Sequence, residues 1–186
     1  MSSDEFVVTP WNVEGDIDYE KLTKQFGTQK ISDEILSKMK QITGEDHFML
    51  RRGIFFSHRD LNVILENFEK GKKFFLYTGR GPSGNTHIGH LVPWVFAKWL
   101  QDKFDVNIYF QLTDDEKFYT KSDLTLEDTS KFALENALDF IALGFKPKKT
   151  KIIINTRDIK KLYPIAVQVA KKINFSNTKA VFGFTH

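Results

Sequence analysis

The stretch FFLYTGRGPSGNTHIGH, residues 74–90, decides the fold of this chain. Its aromatic start predicts a buried strand, and the glycines, proline and asparagine that follow predict a loop. A helix is expected to begin at about His87. A strand, a glycine loop and a helix N-terminus in this order are typical of an anion site, because the first N–H groups of a helix are unpaired and glycines let a phosphate approach the backbone.

Other interpretations of this stretch are open. An ordinary strand–helix connection is one. The dinucleotide site of an NAD-dependent oxidoreductase is another, because Gly79, Gly81 and Gly84 satisfy G-x-G-x-x-G after a strand. Asp114 after the next strand could then hold a ribose. A zinc site at the histidines is set aside, because zinc usually takes three or four protein ligands and the sequence has no cysteine.

Strands and helices alternate from residue 72 onward. We predict strands at 74–78, 106–112 and 151–155, and helices at 87–103, from a Thr125 and Asp128 cap to Gly144, and at 158–173, where Pro164 kinks or splits the helix. This order predicts an α/β fold with a parallel sheet and right-handed crossovers. Ligands of such sheets bind at the carboxyl ends of the strands.

The residues before this region predict a mainly helical extension. We expect a loose arm at 1–16, helices at 18–26 and from Ser32 to Gly44, and a hairpin-like segment at 47–56. A further helix is expected to begin with a Ser57 and Asp60 capping box and to end at Gly71. The chain is therefore divided into an extension, 1–71, and an α/β region, 72–186.

Composition limits the possible classes of function. The 186 residues carry a net charge of +3 and no cysteine, which excludes disulfides and thiol catalysis and fits a reducing compartment. The weak positive charge permits contact with nucleic acid without demanding it. No run approaches the roughly 20 apolar residues of a membrane helix, so we expect a cytoplasmic protein with no membrane partner.

An acidic cluster follows the second predicted strand. Asp114, Asp115 and Glu116 are adjacent, and their mutual repulsion requires a cation, helix N–H donors or a cationic ligand nearby. A solvated acidic cap and a magnesium site are both open interpretations. A position beside the glycine loop favours a functional role.

The sequence HIGH at residues 87–90 resembles the signature of the class I aminoacyl-tRNA synthetases. YTGRGPS (77–83), TDDEK (113–117), IFFSHRD (54–60) and GFT (183–185) resemble the eukaryote-type tryptophanyl-tRNA synthetases. The resemblance implies an incomplete Rossmann-like nucleotide-binding domain after the helical extension. It also implies ATP-dependent formation of tryptophanyl-adenylate and transfer to tRNA(Trp), with Mg²⁺ as cofactor and a homodimer in the full-length form.

The same resemblance assigns roles to individual residues. The residues implied for catalysis are His87, His90 and Lys117. Those implied for ATP binding are Arg80, Gly81, Pro82, Ser83, His87, Gly89 and His90. Those implied for tryptophan are Tyr77 at the indole N–H, and Gln111 and Glu116 at the polar end of the amino acid. No protein ligand of a metal is predicted.

Two departures from the family pattern stand out. The loop between Ser83 and His87 is one residue shorter than expected. The KMSAS-like loop and the anticodon-binding domain have no counterpart in these 186 residues, so we expect the N-terminal part of a longer protein, with little or no activity alone. A non-enzymatic binding module derived from a synthetase is a further alternative.

Overall fold

The computed structural model describes residues 7–8, 13–14, 19–25 and 27–182. The strands are β1 (Val7–Val8), β2 (Val13–Glu14), β3 (Gln29–Lys30), β4 (Ser57–His58), β5 (Phe75–Arg80), β6 (Asn107–Leu112) and β7 (Thr150–Ile154). The helices are α1 (Tyr19–Gln25), α2 (Asp33–Thr43), α3 (Phe48–Arg51), α4 (Leu61–Glu69), α5 (Ile88–Phe104), α6 (Asp114–Thr120), α7 (Leu126–Ala142), α8 (Asn155–Ala170) and α9 (Phe175–Phe182). A short 3₁₀ turn, Pro147–Lys149, precedes β7.

A three-stranded parallel sheet organises the α/β region. Strand β6 lies between β5 and β7, so that Tyr77 is paired with Tyr109 and Tyr109 with Lys151. The predicted α/β fold with its parallel sheet is therefore confirmed. Strand β5 runs two residues further than predicted, because Arg80 still pairs with Leu112.

One face of this sheet forms the main core. Phe110 of β6 is fully buried and stacks on Phe140 of α7, with ring centroids 3.8 Å apart. Trp94 of α5 meets the same two rings edge-on. Burying side chains of this size contributes about 1.5–3 kcal/mol each, so the contacts that β6 makes with α5 and α7 fix the positions of the strand ends.

The opposite face of the sheet is open. Phe75 and Tyr77 of β5 are 63% and 64% exposed, whereas Leu76 between them packs against the core. Side chains alternate between the two faces of a strand. Tyr77 is paired with Tyr109 of β6, and Gln111 lies two residues after Tyr109. Tyr77 and Gln111 therefore lie on the same open face.

A second core cluster joins the extension to the α/β region. Met39 of α2, Leu65 of α4 and Phe104 of α5 are buried in it together. The cap of α2 is as predicted: Ser32 Oγ accepts from the Ile35 N–H at 3.3 Å, and Gly44 ends the helix with a φ of 79°. A left-handed residue after a helix is usually glycine, because glycine has no Cβ to clash.

The predicted hairpin-like segment at 47–56 is wrong. Residues Phe48–Arg51 form the short helix α3, whose N-cap is His47. The His47 Nδ1 atom accepts from the Met49 N–H at 3.3 Å, and Met49 and Leu50 turn inward and are buried. The side-chain cap and the two buried residues therefore favour a helical turn over an extended segment.

The predicted Ser57 and Asp60 capping box is also wrong. Ser57 belongs to β4, which pairs with β3 in an antiparallel ladder. Asp60 is the N-cap of α4 in a left-handed conformation and makes no side-chain capping bond, while His58 Nδ1 accepts from the Leu61 N–H at 3.1 Å. The strand pairing with β3 withdraws Ser57 from the helix end.

The two termini differ in part from expectation. Helix α8 begins three residues before the predicted 158 and continues through Pro164 without splitting, and α9 was not predicted. In the predicted arm, β1 pairs with β2, and the other residues of 1–16 lie outside the described residues. Both ends of the predicted 18–26 helix and the GFT stretch lie outside them as well. Across the described ranges, no helix is long and apolar enough to span a bilayer.

Candidate active site

A row of hydrogen bonds crosses the carboxyl ends of the three parallel strands. The Tyr77 hydroxyl on β5 donates to Gln111 Oε1 on β6. Gln111 Nε2 donates to Asn155 Oδ1, directly after β7, at 2.6 Å. Asn155 Nδ2 in turn donates to Asp115 Oδ1 on α6 at 2.8 Å. Tyr77 and Gln111, for which the family resemblance implies one ligand, therefore lie in contact.

Each member of the acidic cluster has its own protein partner. Asp114 is fully buried and accepts from both the N–H and the hydroxyl of Thr156, at 3.2 and 2.5 Å. Asp115 also accepts from the Glu116 N–H at 2.9 Å. Glu116 accepts from Thr113 Oγ1 at 3.1 Å and pairs with Lys117 at 3.0 Å. Helix N–H groups and neighbouring side chains thus compensate the repulsion.

This cluster does not fit a magnesium site. Its carboxylates point to separate partners, and within the described part of the chain no three His, Cys, Asp or Glu side chains are grouped closely enough to hold a metal ion. Buried Asp114 is likewise unavailable to a dinucleotide ribose, because both its oxygens are bonded to Thr156.

Arg80 holds the glycine loop. One of its terminal nitrogens donates to Thr86 Oγ1 at 2.7 Å, and the other donates to the carbonyls of Gly84 and Asn85 at 3.2 and 2.9 Å. Asn136 of α7, which is fully buried, donates to the Gly84 carbonyl as well, at 3.1 Å. Both terminal nitrogens of Arg80, the predicted phosphate ligand, therefore donate hydrogen bonds to the loop itself.

The two histidines lie together at the start of α5. Their ring centroids are 3.8 Å apart. His87 is the N-cap, and its Nδ1 accepts from the Gly89 N–H at 3.2 Å, while His90 Nδ1 accepts from the His87 N–H at 3.2 Å. A neutral imidazole that accepts at Nδ1 carries its proton at Nε2. Each ring therefore offers one N–H donor away from the helix.

The electrostatic surroundings keep His90 neutral. Burial lowers the pKa of His90 below its ordinary value, and the nearby positive charge of Arg80 lowers that pKa further. A neutral donor at this position can hydrogen-bond an anionic oxygen without first gaining a proton. Gly89 leaves room for the arrangement, since a Cβ there would lie 3.1 Å from His87 Cε1.

Lys117 crosses the glycine loop from α6. A Cβ built on Gly81 would lie 2.0 Å from Lys117 Cε, so the absence of a side chain at Gly81 lets the lysine stem pass. The next loop residue, Pro82, is buried, and Ser83 is exposed. The loop, the start of α5 and the start of α6 therefore form one edge of the molecule.

Comparison with known proteins identifies the family of this chain. A family model described as tRNA synthetases class I (W and Y) matches residues 69–177. The chain belongs to this synthetase family. The predicted resemblance to tryptophan-specific synthetases is confirmed, and the dinucleotide-dependent oxidoreductase is set aside.

Several relatives of this synthetase chain are closely similar. It is 56% identical to the tryptophan–tRNA ligase of Pyrobaculum calidifontis over 182 residues, 98% of this chain and 49% of that protein. The tryptophanyl-tRNA synthetase structure from Plasmodium falciparum has a TM-score of 0.85 and 42% identity, over 91% of this chain and 49% of that one. The structure of a tryptophanyl-tRNA synthetase from Encephalitozoon cuniculi bound to tryptophan has a TM-score of 0.85 and 39% identity, over 90% of this chain and 50% of that one. The chain spans about half the length of the relatives it matches.

Two synthetase residues of the site received no role from the sequence. The sequence places Asn155 only at the end of the predicted strand 151–155, although the parallel order β5-β6-β7 brings it beside Gln111. Asn136 interrupts the apolar face of α7 between Ala133 and Phe140, and a buried amide in such a face signals a specific partner.

Proposed function

We propose that the protein to which this chain belongs is a tryptophan–tRNA ligase. It activates tryptophan with ATP to tryptophanyl-adenylate and transfers the tryptophanyl group to tRNA(Trp). The observation that carries this proposal is the contact of Tyr77 with Gln111 on the open sheet face, in a chain that also carries the paired histidines of the family signature. The relatives that the chain matches bear the same activity in their names.

The amino acid is proposed to bind across the strand ends. The Tyr77 oxygen accepts the indole N–H, and the Glu116 carboxylate pairs with the α-ammonium group. A site that hydrogen-bonds a substrate N–H rejects analogues without it much more strongly than pocket size alone could. Tyr77 is open to such a contact, since it is 64% exposed.

In the first chemical step, the tryptophan carboxylate attacks the α-phosphorus of ATP and pyrophosphate leaves. The carboxylate is already a nucleophile, so no protein base is needed. The Nε2–H donors of His87 and His90 stabilise the charge that develops on the phosphate oxygens, and alignment supplies much of the remaining rate. A ribose hydroxyl of the tRNA then attacks the activated carbonyl, and AMP leaves.

The glycine loop and its cations are proposed to hold ATP. Gly81 and Gly89 keep the backbone approachable, Pro82 and Ser83 shape the loop, and Lys117 brings a positive charge across it. Arg80 contributes a positive charge, while its terminal nitrogens also hold the loop.

Mg²⁺ remains part of the proposal as a companion of the nucleotide. The side chains described above do not form a site of their own for it, and the proposed steps assign roles only to residues of this chain.

The location, the assembly and the partners of the full-length protein are also proposals. We propose a cytoplasmic location and a homodimeric full-length protein, with tryptophan, ATP and tRNA(Trp) as partners. The absence of cysteine supports a reducing compartment. The homodimer is supported by the family resemblance.

Amino-acid-dependent ATP–pyrophosphate exchange by the full-length protein tests the function. We expect exchange with tryptophan and far less with tyrosine, which has no indole N–H. Exchange that responds to tyrosine instead, or to neither amino acid, contradicts the proposal.

A further inference from the structure

We propose that Asp115 and Asn155 are positioning residues that set the direction of the hydrogen bond between Gln111 and Tyr77, and thereby select a ligand that donates a hydrogen bond. The inference rests on the proposed function, since it concerns how the indole N–H is recognised. Neither residue needs to contact the substrate for this role.

The direction is imposed first by Asp115. A carboxylate accepts hydrogen bonds and has no proton to donate. The group of Asn155 that faces Asp115 Oδ1 at 2.8 Å must therefore be the Nδ2 amide. Asp115 is itself held at the start of α6, because it also accepts from the Glu116 N–H at 2.9 Å.

Asn155 passes this direction to Gln111. With its Nδ2 committed to Asp115, Asn155 presents its Oδ1 acceptor to the neighbouring strand end. Gln111 must answer with its Nε2 donor, and the two atoms lie 2.6 Å apart. The Oε1 atom of Gln111 then faces Tyr77.

The last step reaches the ligand site. Because Gln111 offers an acceptor, the Tyr77 hydroxyl donates its only proton to Gln111. The remaining lone pairs of the phenol oxygen can only accept, so they favour an N–H group on the ligand. With the Gln111 amide reversed, the Tyr77 proton would point at the ligand and would oppose an indole N–H.

The relay links segments that are distant in sequence. Asp115 lies 40 residues before Asn155, and Gln111 lies 44 residues before it. Donor selection therefore depends on how the start of α8 is seated between β6 and α6. A local rearrangement at the indole pocket is not required to change it.

The experiment compares two ligands on the full-length protein. These are tryptophan and β-benzothienylalanine, in which sulfur replaces the indole N–H. We expect Asn155→Leu to reduce the ratio of kcat/KM for tryptophan over this analogue by about tenfold or more. The loss is expected in the KM for tryptophan, with the KM for ATP little changed.

A double exchange provides the rescue variant. In Asn155→Asp with Asp115→Asn, the new carboxylate still accepts from Gln111 Nε2, and the new amide donates to that carboxylate. The total charge and the two hydrogen bonds of the relay are kept, but the Glu116 N–H loses its acceptor, because it also donates to Asp115 Oδ1. We therefore expect a ligand ratio well above that of Asn155→Leu and below the wild-type value. Thermal unfolding of each variant verifies that the ratio is compared between folded proteins.

The outcomes separate this inference from the proposed function. A wild-type protein that activates tryptophan with a high ratio, together with an unchanged ratio in Asn155→Leu, overturns the relay and leaves the function intact. An exchange variant that folds but behaves like Asn155→Leu also overturns it. A wild-type protein that does not activate tryptophan overturns the proposed function itself.

Discussion

At the scale of single residues, Gly79 shows how closely two strands can be forced together. A Cβ built at this position would lie 2.2 Å from the backbone oxygen of Gln111, which cannot move without disturbing the sheet. We expect Gly79→Ala to lower the free energy of unfolding by about 1–3 kcal/mol or more. Urea unfolding measures it.

Gly81→Ala is the matched comparison. Its new Cβ would meet the Lys117 side chain, which is flexible, so we expect a smaller loss of stability and a displaced lysine. Equal losses in the two alanine variants would contradict this assignment.

His87 combines a structural role with a proposed catalytic one, and the two are separable. Asparagine is a favourable N-cap residue and can accept from the Gly89 N–H as His87 does. We expect His87→Asn to keep the unfolding free energy within about 0.5 kcal/mol of wild type while exchange activity in the full-length protein falls by about 10²-fold. An active variant would show that the ring serves the helix end alone.

At the scale of elements, α3 is sensitive to acid through its cap. Burial lowers the pKa of His47, although Glu45 opposes this shift. The unfolded chain therefore protonates His47 at about pH 6.5, whereas the folded chain protonates it only at a lower pH. The contribution of His47 to stability is fully present above this pH, and it is lost as the pH falls from there through the lower pKa of the folded state.

We expect His47→Asn to retain the cap and to flatten this dependence between about pH 7 and 5. Some slope will remain, because the pKa of His90 is lowered as well. Urea unfolding at several pH values measures it, and an unchanged slope in the variant would contradict the assignment.

The junction of α6 and α8 depends on one buried carboxylate. Asp114→Leu leaves the N–H and hydroxyl of Thr156 without their acceptor, which should cost about 1–3 kcal/mol for each group left unpaired. Asp114→Asn keeps an oxygen for the N–H and offers a donor to the hydroxyl, so its loss is expected to be smaller. Thermal unfolding of both variants gives the comparison, and equal losses would contradict it.

The elements also show what the sequence alone could predict. The strands and long helices of the α/β region follow from local patterns, such as the Thr125 and Asp128 cap, which the structure confirms. The role of Ser57 could not be read locally, because its partner strand lies at residues 29–30. The role of Asn155 likewise could not be predicted locally, because it depends on how the ends of three strands align.

At the scale of the whole molecule, the open sheet face limits what these residues can do alone. Tyr77 and Phe75 are about two-thirds exposed, whereas ligand pockets usually enclose most of the ligand surface. We expect a polypeptide limited to residues 1–186 to show little or no tryptophan-dependent exchange. A side-by-side assay with the full-length protein measures it, and comparable rates would contradict the expectation.

The attachment of Arg80 to its own loop has a consequence for nucleotide affinity. The terminal nitrogens of the guanidinium donate to three oxygen atoms of residues 84–86, so an incoming triphosphate that takes over these donors must displace those oxygens. Arg80 would then bind either the loop oxygens or the triphosphate, and in the first state it acts as a latch on the loop. A change at Thr86 that weakens the latch would tighten nucleotide binding without touching the nucleotide.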